Sequence, residues 1–67
     1  MKLSDDTLWR EIQEEAAWVG WQDREKILSR VLTRIARRHA LRDDEARDDL
    51  RGRMDRLWAT RAEVLGA

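Results

Sequence analysis

Sixty-seven residues carrying 14 basic and 14 acidic side chains make one small domain with no net charge. Cysteine is absent, which excludes disulfides and thiolate metal sites. Hydrophobic and charged residues each account for 42%, too apolar and too periodic for a disordered chain.

A chain this short buries only about 60% of its unfolded surface, and self-association is the remaining way to support so small a core. No apolar run is long enough to span a bilayer, and the opening MKLSDDTLWRE has no signal-type apolar segment. The sequence therefore predicts a cytoplasmic, soluble protein with no membrane contact. The charge is unevenly placed. Residues 1–22 carry two basic and five acidic groups, residues 23–42 seven and two, and residues 43–67 five and seven. A basic middle between acidic ends is most simply read as internal compensation.

The spacing predicts an all-α fold, a three-helix bundle over roughly residues 5–19, 24–39 and 44–65. Ser4 or Asp5 caps the first helix, and Asp5 and Asp6 suit the positive end of its dipole. Leu8, Ile12, Ala16 and Val19 form its apolar stripe, with Trp9 on the edge and Glu11, Glu14 and Glu15 on an acidic surface. Gly20 ends it, and Asp23 caps the next helix after a very short link. Trp18 falls roughly 130° from the stripe on a helical wheel and points away from the core. Trp18 and Trp21 either roof the corner between the first two helices or anchor a partner, a role in which tryptophan is enriched.

The second helix is two-sided. Ile27, Leu28, Val31, Leu32, Ile35 and Ala36 make an apolar stripe, and Lys26, Arg30, Arg34 and Arg37 a basic one. Arg37, Arg38 and His39 lie in its last turn, where positive charge is favoured. Asp43 caps the third helix, Asp44 and Glu45 fill its first turn, and Ala46, Leu50, Met54, Leu57, Val64 and Leu65 form its stripe. Trp58 lies on the edge of that stripe, Arg61 within it, Gly52 away from it, and Gly66 marks the end.

No phosphate loop, metal motif or nucleophile elbow occurs, and the lone His39 has no second ligand one turn away. No catalytic residue, cofactor or metal is expected. The first expectation is a non-enzymatic protein-interaction module, a homo-oligomer whose contact surface includes Trp18, Trp21 and Trp58 together with the basic face. The second is a helix-turn-helix-like nucleic-acid binder using Lys26, Arg30, Arg34 and Arg37. Against it, Asp43, Asp44 and Glu45 would repel phosphates at the start of helix three.

Arg24–Glu25, an apolar helix, His39–Ala40–Leu41 and a third helix faintly resemble the second half of the all-helical chorismate mutases, over about residues 23–60. The resemblance implies mutase activity, with Arg24 and Glu25 where that family places an Arg–Glu pair at a helix start. Separately, a small-molecule enzyme, the third expectation, calls for a pocket lined by Arg24, Arg34 or Arg61. That family's long arginine-bearing first helix, and its lysine before the second, have no counterpart in this chain, so it is not assigned to the family.

Overall fold

A computed structural model describes residues 3–62. The chain is a compact all-α bundle of three helices, α1 (Asp5–Val19), α2 (Arg24–Arg38) and α3 (Asp44–Leu57), and α3 runs on into a π-helical turn, Trp58–Ala62. The middle helix packs on both others, and α1 also meets α3. No helix of the described residues is long and apolar enough to cross a membrane.

Each helix begins on a side chain that supplies an acceptor for free amides. Ser4 Oγ accepts from Thr7 N at 3.1 Å, Asp23 from Lys26 N at 3.3 Å, and Asp43 from Glu45 N at 3.0 Å. The ends differ. Gly20 closes α1 at φ 96°, its N–H donating to Ala16 O at 2.8 Å. Beyond α2, Ala40 takes φ 54°, Leu41 N donates to Ala36 O at 2.8 Å and Ala40 N to Arg37 O at 3.3 Å. That is a Schellman closure built on a residue with a Cβ, in a place where glycine is usual. The helix therefore stops at Arg38 with His39 as its exposed cap, one residue short of the expected end.

The core is the stripes brought together. Leu8, Ile12 and Ala16 meet Ile27, Leu28, Val31 and Ile35 from α2 and Leu50, Met54 and Leu57 from α3. Leu32 and Val19 pack only at its edge. Trp9 and Trp58, both read as edge residues, are buried members of this cluster.

The third helix departs from its expected course at Trp58. A π turn takes more residues per turn than an α turn, so each following position lags in rotation. Ala62 thereby comes round to the core, and Arg61 swings from the middle of the apolar stripe to its rim. Thr60 Oγ1 donates to Arg56 O at 2.8 Å within the widened segment. Arg61 uses its rim position to pair with Asp6 of α1 at 3.2 Å. The expected continuation to residue 65, with Val64, Leu65 and Gly66, lies outside the described residues.

Candidate interaction surface

The helix order sets α1 and α2 antiparallel, and their charged rows meet along the seam. Glu11 and Glu15 are one turn apart on α1, and Arg30, Arg34 and Arg38 are successive turns of α2. Arg30 Nε lies 2.6 Å from Glu15 Oε2, and Arg34 binds Glu15 through its other carboxylate oxygen. Arg34 also reaches Glu11 at 3.1 Å, and Arg38 completes the row on Glu11 at 2.8 Å. Glu15, expected on a solvated acidic surface, is only 2% exposed. The acidic face of α1 is thus partly an internal one, because α2 lays its arginines over it.

Opposing effects act on these carboxyls. Burial pushes the Glu15 carboxyl upward, and the hydrogen bonds from Arg34 and Arg30 more than offset it, holding it below its ordinary value. Glu11 behaves alike: burial raises it, and the hydrogen bonds from Arg38 and Arg34 lower it further than burial lifts it. Arg34 is correspondingly raised, chiefly by its bond to Glu15.

A second ionic row ties α2 to α3. Arg24 donates to Asp55 at 3.0 Å, and Arg51 reaches Glu25 at 2.8 Å and Asp55 at 3.3 Å. Arg53 pairs with Asp5 at 2.9 Å between α3 and α1. The three arginines named for a small-molecule pocket therefore serve different seams. Arg24 holds Asp55, Arg34 holds Glu11 and Glu15, and Arg61 holds Asp6.

The basic face expected on α2 divides in two. Arg30 and Arg34 are engaged with α1, whereas Lys26 and Arg37 are exposed and hold no carboxylate among the described residues. Ser29, Arg30, Thr33, Arg34 and Arg37 line a shallow depression on the outer side of the helix. Arg38 was read only as a last-turn cation and Glu14 only as part of an acidic surface, and Ser29 and Thr33 were not singled out. Matching one-turn spacings of Glu11/Glu15 and Arg30/Arg34/Arg38 on consecutive helices are the signal that could have found the arginine.

The tryptophans separate as sharply. Trp21 lies between Trp9 and Trp58, with ring centroids 5.7 Å and 5.5 Å away and tilted planes. From the link after α1 it covers Trp9 of α1 and Trp58 of the π turn, and is 44% exposed. Trp58, expected at a contact surface, is instead 7% exposed, packed into the core cluster beneath Trp21, and has little area to offer a partner. Trp18 is the outlier at 89% exposed, beside a groove lined by Glu11, Glu14, Arg34 and Arg38. The wheel reading placed it outside the core, and the structure does the same.

No protein-family model, no curated protein and no solved structure matches the chain.

Proposed function

We propose that this chain is a non-enzymatic helical protein-interaction module that self-associates, with Trp18 as its anchor and the outer face of α2 as its charged complement. The exposure of Trp18 carries the reading. An indole held in water at 89% exposure contributes nothing to the monomer core, yet buries a large area at low entropic cost once a partner covers it. Its rigid setting on α1, one turn beyond the paired Glu11–Glu15 row, gives a partner a preformed surface to meet. The proposed location is the cytoplasm, which fractionation of tagged cells would check.

Trp18→Ala tests the reading directly. The exchange should reduce the mass in solution and leave the thermal stability of the dilute, monomeric chain almost unchanged. An unchanged mass would overturn Trp18 as the anchor.

Binding of nucleic acid is the second reading, supported by Lys26 and Arg37, outward cations with no carboxylate partner among the described residues. It calls for retention on duplex DNA that falls steeply with added salt. Passage through such a column at low salt would remove it.

A further inference from the structure

The α1–α2 face contains both halves of a contact. On α1, Trp18 stands in water, and Glu14, one turn before it, is exposed and in no ion pair among the described residues. On α2, the depression lined by Ser29, Arg30, Thr33, Arg34 and Arg37 is rich in cations. Glu11 and Glu15 are the carboxylates that meet Arg30, Arg34 and Arg38, and beyond Glu25 the helix has no acid of its own. A cationic surface with aliphatic stems suits an aromatic ring and a carboxylate. Trp18 and Glu14 are such a pair.

Their positions along the helices also agree. The pairing of Glu15 with Arg30 and Arg34, and of Glu11 with Arg34 and Arg38, fixes the antiparallel register of the two helices. In that register Trp18 stands level with Ser29, and Glu14 level with Thr33. Each pair is four residues apart, about 6 Å along a helix. A twofold axis along the α1–α2 seam therefore lays α1 of one copy over α2 of the other without changing level. Trp18 then comes over Ser29 and Arg30, and Glu14 over Thr33 and Arg37. Symmetry makes the same contact a second time.

We infer that a second copy of this chain occupies this face, with Trp18 of each protomer seated in the α2 depression of its partner and Glu14 set against the partner's Arg37. The inference rests on the self-association proposed above and supplies the receptor for its anchor. It is favoured over nucleic acid because a phosphate backbone laid on the same face would meet Glu14 and Glu11.

Sedimentation equilibrium of Glu14→Arg, Arg37→Glu and the double variant tests the arrangement. Both side chains are exposed and hold no ion pair among the described residues, so each variant should fold. At dilutions where the parent is monomeric, Glu14→Arg should melt with the parent and Arg37→Glu slightly below it, through the cation lost from the last turn of α2. Each single exchange sets like charges together twice and should weaken self-association about tenfold or more. The double exchange restores opposite charges and should recover the parent affinity to within about threefold. Trp18→Ala should weaken association at least as much as either single exchange. Loss of association in Trp18→Ala, with both charge variants unaffected, would overturn the α2 receptor while leaving Trp18 as an anchor. A parent chain that is monomeric throughout would overturn both. Retention on duplex DNA that Arg37→Glu abolishes, from a monomeric parent, would assign the cations to nucleic acid instead.

Discussion

Arg30 Nε stands 2.6 Å from a carboxylate oxygen of Glu15, a side chain only 2% exposed. The glutamate is buried by the partners that neutralise it. Arg30 keeps 57% of its side chain in water, so the pair is dry on one side and wet on the other. This asymmetry sets what happens when either partner is lost.

Arg34→Met leaves two buried or half-buried carboxylates with one arginine each, and should cost about 1–3 kcal/mol. Glu15→Gln leaves arginines that can hydrate, and should cost less, about 1 kcal/mol. Urea unfolding midpoints would give the order. A larger loss for Glu15→Gln would contradict the account of which side of the pair is desolvated.

Acid should weaken the fold through the same groups. Folding holds the Glu11 and Glu15 carboxyls below the ordinary glutamate value of 4.5. A depressed carboxyl contributes stability that is fully present above that value and disappears as pH falls through the folded-state value. Stability should thus be level above pH 4.5 and decline below it, more gently in Glu11→Gln/Glu15→Gln than in the parent. Parallel declines would show that other carboxyls govern acid unfolding.

Three backbone positions should respond to exchanges between glycine and alanine, two by gaining stability and one by losing it. Gly52 lies inside α3, and a Cβ there meets nothing within 4 Å, so Gly52→Ala should stabilise by about 1 kcal/mol. Ala40 sits at φ 54°, and Ala40→Gly should also stabilise, by about 1 kcal/mol, by removing the left-handed penalty. By contrast, Gly20→Ala meets φ 96° and Gln22 Oε1 at 2.9 Å, and should destabilise by about 1–2 kcal/mol. Thermal melts of the three variants check the signs.

The two exposed tryptophans should separate in a stability assay. Trp21→Ala uncovers Trp9 and Trp58 and removes two ring contacts, each worth about 0.5–1.5 kcal/mol, so it should destabilise clearly. Measured at dilutions where the parent is monomeric, Trp18→Ala should stay within about 0.5 kcal/mol of the parent. A large loss in Trp18→Ala would mean that the ring supports the monomer.

The helices were legible because their signals are local. Ser4, Asp23 and Asp43 announce starts, Gly20 announces a stop, and Leu8/Ile12/Ala16 and Ile27/Val31/Ile35 repeat at the helical period. The π turn was not, since nothing local in Trp58–Ala62 marks it and Trp21, which packs on its first residue, comes from a different part of the chain. The burial of Glu15 was hidden for a similar reason. A helical wheel records direction, and the arginines that cover this residue arrive from α2. Trp18 could be placed from the wheel because nothing crosses over it.

The mass of the unmodified chain in solution bears most directly on the central claim. Sedimentation equilibrium should give a weight-average mass that climbs with concentration from 8.0 kDa toward twice that value. A constant 8.0 kDa up to ~1 mM, where even contacts of −4 kcal/mol would register, would contradict it.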